Sequence, residues 1–301
     1  MVIAKYKDLI PVRWLCAWTG MPVSSWYYSS TDGRRGCKPS RYTFTFSGNK
    51  VSNKEIISRI KELLRQEYVC YGYEKITIEL RDDGFLINKK KVYRLMKEAH
   101  LLHSNTRIRT NGRRNFVKMR KIEADYPMQY LAMDIKYVYI QGERRNVYLL
   151  SIMDIFTRRV LGHLLKGSIR QHDVVLLLDG IIGQYRLKKI TIRNDNGSQF
   201  IAHSVRKYLH EMGINQEFTH IATPEENAYI ESLHSTLERE VIRRYWFDSI
   251  HYAKWKISDY YKFYNARRKH RSLGMRSPDQ YLDNYEKMNQ KKENDFQILL
   301  N

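Results

Sequence analysis

Three apolar, strand-like runs in quick succession constrain this chain more than any other feature: "YLAMDIKYVYI" (130–140), "NVYLLSIMDIF" (146–156) and "RRVLGHLL" (158–165). All three are rich in β-branched and aromatic residues. The links between them are too short for a crossover helix, so the runs must pair as an antiparallel meander. Beyond them the pattern changes. "QHDVVLLLDGIIGQY" (171–185) reads as a helix, "KKITIRN" (188–194) as a strand, "SQFIAHSVRKYLHEMG" (198–213) as a helix, "INQEFTH" (214–220) as a strand and "TPEENAYIESLHSTLEREVIRRY" (223–245) as a long helix. A meander followed by alternating helix and strand predicts an α/β domain over 126–248: a mixed five-stranded sheet with helices on both faces.

The sequence ahead of this domain has a different texture. Residues 1–50 read as two short helices, "PVRWLCAWTG" and one starting at Ser24-Ser25, followed by a Gly/Ser/Arg-rich linker. Residues 51–102 read as three helices. The first is capped by Asn53 and carries an apolar face of Ile56, Ile57, Ile60, Leu63 and Leu64; the third is capped by Asn88. Helix, Gly-containing turn and basic helix is a helix-turn-helix-type layout. On the third helix Lys89, Lys90, Lys91, Arg94 and Lys97 face outward for DNA, while Val92, Leu95 and Met96 pack. Residues 103–125 form a basic, aperiodic linker, in which Arg107, Arg109, Arg113 and Arg114 are candidates to lie along phosphates.

Charge narrows the function. The chain has 53 Lys and Arg against 32 Asp and Glu, a net of +21. Such a field draws polyanions, and double-stranded DNA is the expected partner. A membrane role is excluded from the reading, because there is no apolar run of about 18 residues, signal peptide or lipid anchor. Cys16, Cys37 and Cys70 are scattered and make neither a disulfide framework nor a zinc site; a reducing compartment, the cytoplasm, fits.

Three acids do not fit a purely structural reading. Asp134 interrupts an apolar strand, where an ionised carboxylate is costly unless it is paired or bound to a metal. Asp195, in "RNDNGSQF", sits just past the fourth strand; alone it would be turn chemistry. Glu231 lies on the long helix, which starts with Thr223 as N-cap, Pro224 and a capping-box Glu226, and buries a stripe of Ile230, Leu233, Leu237 and Val241. Glu231 stands at the edge of that stripe. Sites gather at the carboxyl ends of strands in α/β sheets. If the first and fourth strands are neighbours, Asp134 and Asp195 meet there and the long helix carries Glu231 over them. Three carboxylates suit Mg²⁺ or Mn²⁺, with two ions serving an in-line phosphoryl transfer. Asp154 and Asp173 are rival acids; Asp154, in the second strand of the meander, reads as a satisfied structural acid and is left out of the metal set.

Sixty residues separate Asp134 from Asp195, and thirty-five separate Asp195 from Glu231. With "DIKYVYI", "YLLSIMDIFTRRVLGH", "NDNGSQF", "ENAYIESLHSTLERE" and the tail "YNARRKHRSLGMRSPDQYL", this resembles the D-D-(35)-E pattern of the IS3-family insertion-sequence transposases, relatives of retroviral integrases. The resemblance implies an RNase H-like core and a metal-binding DDE triad of Asp134, Asp195 and Glu231. It implies cleavage at the terminal inverted repeats of a mobile element, then attack of the freed 3′-hydroxyl on target DNA. It further implies action as a homo-oligomer, in the nucleoid-associated cytoplasm of a bacterium, and a small upstream-frame partner with a helix-turn-helix and a leucine zipper. This chain shows no heptad segment, so it is expected to be either the downstream part or a variant that works alone. One position departs from the pattern: where many such enzymes carry Lys or Arg seven residues after the Glu, Glu238 stands here, with Arg239 or Arg243 as candidate substitutes.

Residues 249–283 mix tyrosine with basic residues, so Arg267, Arg268, His270 and Arg271 are candidates for DNA contact; a tyrosine-packed helix with a solvated basic face explains the composition equally well. Residues 284–301 read as a polar, frayed tail. Two alternatives stand beside the transposase: a non-catalytic DNA-binding protein built on such a core, and an RNase H-type nuclease that never joins strands.

Overall fold

The computed structural model describes residues 2–29, 39–103, 123–220 and 227–300. Thr223, Pro224 and Glu226, Arg107, Arg109, Arg113 and Arg114, and Cys37 lie outside the described residues. The chain divides into two compact units, 1–42 and 43–301.

The first unit holds α1 (Val2–Tyr6), α2 (Val12–Thr19) and α3 (Val23–Trp26) around a small core of Ile3, Leu15 and Cys16. Gly20, at φ 67, takes the left-handed conformation that ends α2. The short helix expected at Ser24-Ser25 begins one residue earlier, and α1 was not expected.

β1 (Tyr42–Thr45) begins at the boundary between the units and, with β2 (Lys50–Ser52), lies where the sequence reads the end of the linker. Gly48, at φ 83, turns the chain, and the Asn49 amide donates to Thr45 Oγ1. The hairpin gains a third strand, β3 (Phe85–Leu86), from within the expected turn of the helix-turn-helix; the order is β2-β1-β3. The three helices are α4 (Asn53–Arg65), α5 (Tyr73–Asp82) and α6 (Lys89–Glu98). Ser52 rather than Asn53 caps α4: its hydroxyl accepts from the Glu55 amide, and Glu55 reaches back to the Ser52 amide. Asn88 caps α6 as expected, accepting from the Lys91 amide at 2.9 Å. Ile56, Ile60, Leu63, Ile76, Leu80, Val92, Leu95 and Met96 fill the core of this bundle.

The central sheet comprises β4 (Tyr130–Ile140), β5 (Arg145–Asp154), β6 (Val160–Lys166), β7 (Thr191–Asn194) and β8 (Asn215–Phe218), in the order β6-β5-β4-β7-β8. The meander pairs antiparallel, and β4–β7 and β7–β8 pair parallel. Alternation along β4 sorts its side chains: Leu131 and Met133 enter one core with α7 (Gln171–Tyr185), α8 (Ser198–Ile201) and α9 (His203–Glu211). Ala132, Val138 and Ile140 enter the other, with α10 (Ala228–Leu237) and α11 (Ile250–Ala266). Asp134 and Lys136, being even-numbered, therefore belong to the α10 side of the strand.

The expected long helix is α10 followed by a π-helical turn, Glu238–Ile242, and its buried stripe of Ile230, Leu233, Leu237 and Val241 forms as read from the sequence. Ile257, Tyr260, Tyr261 and Tyr264 of α11 are buried in the same core, so α11 packs in the same layer as α10. The last described element is α12 (Pro278–Leu300).

Candidate active site

The parallel register of β4 and β7 runs Tyr130↔Thr191, Leu131↔Ile192, Ala132↔Arg193. Two residues further along, the same register brings Asp134 level with Asp195, at the carboxyl end of β7. The loop holding Asp195 is tightly pinned. Asn194, fully buried, donates to the Asp195 carbonyl at 2.6 Å and accepts from Gln216 at 3.0 Å, and Asn196 donates to the Thr219 carbonyl at 2.9 Å. The Gly197 amide donates to Asp195 Oδ1 at 3.0 Å, an Asx turn. A Cβ on residue 197 would stand 3.0 Å from that same oxygen, so glycine leaves the carboxylate its space. Asp195 is thus a turn residue that also stands level with Asp134. Burial pushes its carboxyl above the ordinary range, the Gly197 amide partly offsets this, and the charge of Asp134 adds to the rise.

Asp134 is held from α10: His234 Nδ1 lies 3.2 Å from Asp134 Oδ2, and both side chains are largely covered. On the other side β5 places the fully buried Ser151 directly across from Asp134, its hydroxyl 2.9 Å from the Tyr261 hydroxyl. Glu231 is exposed, one helical turn before His234. The structure therefore brings Asp134 and Asp195 together and places Glu231 on the adjoining helix. Among the described residues it does not gather three His, Cys, Asp or Glu side chains into a group that could hold a metal ion. The pair nonetheless fits a hard divalent cation, with oxygen donors only and a mutual repulsion that a cation would relieve.

His234 and Lys136 were missed by the sequence reading. Their signal was spacing: three residues after Glu231, and two after Asp134. Lys136 Nζ lies 3.0 Å from Glu238 Oε2, and Arg243 Nε lies 3.1 Å from Glu238 Oε1. Burial alone would raise the Glu238 carboxyl, but these two cations outweigh it and hold it below the ordinary range.

Asp154 behaves as the structural acid it was read to be. Its carboxylate is fully buried and accepts from the amides of Met128, Phe156 and Thr157 and from the Thr157 hydroxyl.

Two of the C-terminal candidates are corrected. Arg268 is buried, donating to both oxygens of buried Glu240 at 2.7 and 2.8 Å, which takes it out of reach of DNA. His270 packs edge-on against Tyr264, and burial with neighbouring cations lowers its imidazole to about 2, so it carries no charge for phosphate. Arg267 donates to Gln66 at 2.8 Å, and Arg271 is exposed, 3.9 Å from Glu74. Lys89, Lys90 and Lys97 are exposed, Lys91 and Arg94 half-buried, and Arg239 and Arg243 project outward.

A sheet in which a three-stranded meander is followed by two parallel strands, with an acid on the first strand and another at the end of the fourth, defines an RNase H-like core. Models of the integrase core domain match residues 124–224 and 212–278, and one of an HTH-like domain matches 52–109. The chain is 29% identical over 256 residues, covering 84% of it and 72% of the relative, to the insertion element IS476 uncharacterized 39.2 kDa protein of Xanthomonas euvesicatoria. It is 24% identical to the putative transposase InsK for IS150 of Escherichia coli (93% and 96% covered) and 26% identical to the transposase for IS904 of Lactococcus lactis (78% and 96% covered). Among solved structures it is similar to a chain of a simian T-cell lymphotropic virus intasome complex, with TM-score 0.46, 12% identity and 77% and 74% covered. It is also similar to the catalytic domain of the Mos1 mariner transposase, with TM-score 0.41, 13% identity and 55% and 79% covered. The protein is an integrase-core transposase with an HTH-like domain ahead of the core. Within that class it belongs with the transposases of bacterial insertion sequences, in keeping with the IS3 family.

Proposed function

We propose that this chain cuts and joins DNA by a DDE mechanism, with Asp134, Asp195 and Glu231 as the acting carboxylates. The observation that carries this reading is the pairing of β4 with β7, which sets Asp134 and Asp195 side by side with α10 adjoining. Bound there, Mg²⁺ or Mn²⁺, as one or two ions, would lower the pKa of a water and stabilise the oxygen that leaves phosphorus. In the first reaction water attacks a phosphodiester at an element end and a 3′-hydroxyl departs. In the second that hydroxyl attacks a phosphodiester of the target, whose own 3′-oxygen leaves with the proton. The chain's part is to hold the acids. His234 fixes the orientation of Asp134, the Asx turn fixes Asp195, and Glu231 joins the pair once cation and DNA have neutralised it.

DNA binding by exposed Lys89, Lys90 and Lys97 on α6, assembly as a homo-oligomer on two terminal inverted repeats, an upstream-frame partner, and residence beside the nucleoid in the cytoplasm belong to the same reading. No helix among the described residues is long and apolar enough to cross a membrane.

The exposure of Glu231 favours a second reading, a DNA-binding protein without catalysis. Glu231→Gln separates the two. With the full chain, Mg²⁺ and duplexes bearing the DNA that flanks its gene, the wild type should yield both nicked and joined products. The variant should bind and yield neither. Full activity in Glu231→Gln would overturn the triad, nicking without joining would indicate a nuclease, and an inactive wild type would leave the binding protein.

A further inference from the structure

Lys136 stands two residues from Asp134 on the same side of β4, roughly 7 Å along the strand. A strand in the middle of a sheet is a rigid mount, unlike a loop. Its Nζ is 3.0 Å from Glu238 Oε2, and the other oxygen of Glu238 takes Arg243 Nε at 3.1 Å. One carboxylate therefore ties two cations, one from the sheet and one from the far end of the π-helical turn. In that turn residue i+5 stacks over residue i, which is how Arg243 comes to lie over Glu238.

The outer member of this trio has little structural purpose: Arg243 keeps 74% of its side-chain surface, a regime in which an ion pair contributes little stability, whereas Lys136 and Glu238, at 22% and 28%, are more firmly held. The trio is also placed where a phosphodiester approaching Asp134 and Asp195 meets two negative charges. A DNA strand at that site needs cations beside it, and these are the cations that the β4–α10 seam supplies.

Resting on the reading that Asp134 and Asp195 act on DNA, we propose that Lys136 and Arg243 form a phosphate-binding pair for the nucleotide next to the reacting bond. Glu238 occupies that pair as a built-in competitor until DNA displaces it. Binding exchanges one carboxylate for one phosphate: Glu238 loses its two partners, and Lys136 and Arg243 keep theirs in new form. The exchange disfavours weakly held DNA and leaves the cations preoriented by the carboxylate they release.

The test is equilibrium binding of a fluorescent duplex of arbitrary sequence to the full chain in a chelator, where no chemistry occurs. Glu238→Gln should tighten binding by about fivefold at roughly 0.15 M salt, the effect of one more effective charge at the phosphate. Lys136→Met should weaken it and lower the log–log salt slope by about one. The double variant should lose the gain made by Glu238→Gln. Equal or weaker binding by a Glu238→Gln protein with an unchanged melting temperature overturns the proposal, as does a Lys136→Met protein with the wild-type salt slope. Because the assay contains no divalent cation, failure of the DDE reading would surface in the Glu231→Gln cleavage assay and not here.

Discussion

Asp195→Asn should make the metal-free protein more stable while abolishing its chemistry. Carried two residues past Ala132↔Arg193, the register of β4 and β7 sets residue 195, just beyond β7, beside residue 134 at about the 5 Å spacing of paired strands. Two unit charges at that separation repel by about 3 kcal/mol at an effective dielectric of about 20. Asp134 keeps 19% of its side-chain surface and Asp195 is half-buried, so the remaining solvent screening discounts the figure to about 1 kcal/mol. An asparagine amide keeps the oxygen that accepts from Gly197, so the Asx turn survives and the gain is not spent on a broken loop. For a unit of this size about 1 kcal/mol corresponds to a rise of roughly 2–4 °C in melting temperature. The pH dependence follows from the raised carboxyl of Asp195. The folded state holds that proton more tightly than the unfolded chain, so the wild type is relieved of the repulsion below the ordinary carboxylate value of 3.8 and loses that relief as pH rises through the folded value. The advantage of the variant should be full at neutral pH and vanish in acid. Thermal melts in a chelator, repeated with Mn²⁺, provide the assay: Mn²⁺ should raise the wild-type transition and leave the variant's in place. Asp154→Asn is the control, because an amide NH₂ set against donors that serve the Asp154 carboxylate costs about 1–3 kcal/mol. A fall in the melting temperature of Asp195→Asn in chelator would refute the reasoning.

Gly197→Ala, which sets a methyl 3.0 Å from Asp195 Oδ1, should slow cleavage at least tenfold without changing the affinity for DNA, a split that paired cleavage and binding assays read directly. Glu240→Gln leaves Arg268 buried without its counter-charge and should destabilise the protein by about 3 kcal/mol or more, measured by urea denaturation. Lys75 is lowered to about 7 by burial and by Arg268, so charging it opposes the fold. Stability should therefore decline as pH falls from 10.5 towards 7, and Lys75→Met should remove that slope between the two values.

The sheet and two of the three proposed acids were legible for a simple reason. An apolar strand tolerates few charges, so Asp134 stood out within "YLAMDIKYVYI", and the stripe Ile230-Leu233-Leu237-Val241 fixed which edge of α10 carries Glu231. Asp195 was legible only through its distance from the other two, because its own octapeptide is indistinguishable from a turn, which it also is. The hairpin of β1 and β2 was hidden because its third strand lies some forty residues away, inside a segment with turn composition. The fate of Arg268 was hidden for a related reason. A tyrosine-rich basic helix looks the same whether it faces DNA or a buried acid, and here the deciding residue, Glu240, is 28 positions upstream. The π-helical turn has no signature in composition at all, and with it went the pairing of Glu238 with Arg243.

The helix-turn-helix bundle and the sheet are fastened through α11 and the segment after it. Tyr68 donates to Asp259 at 2.9 Å, Lys256 pairs with Glu67, Lys269 pairs with Asp82 at 2.7 Å, and the Lys269 amide donates to the Tyr71 hydroxyl at 3.1 Å. If α6 seats DNA as proposed, such riveting makes this unit a ruler. A duplex seated against α6 would present its backbone to the acid pair at a set offset, so the distance in base pairs between the sequence gripped and the bond broken would be written into the packing of a tyrosine helix.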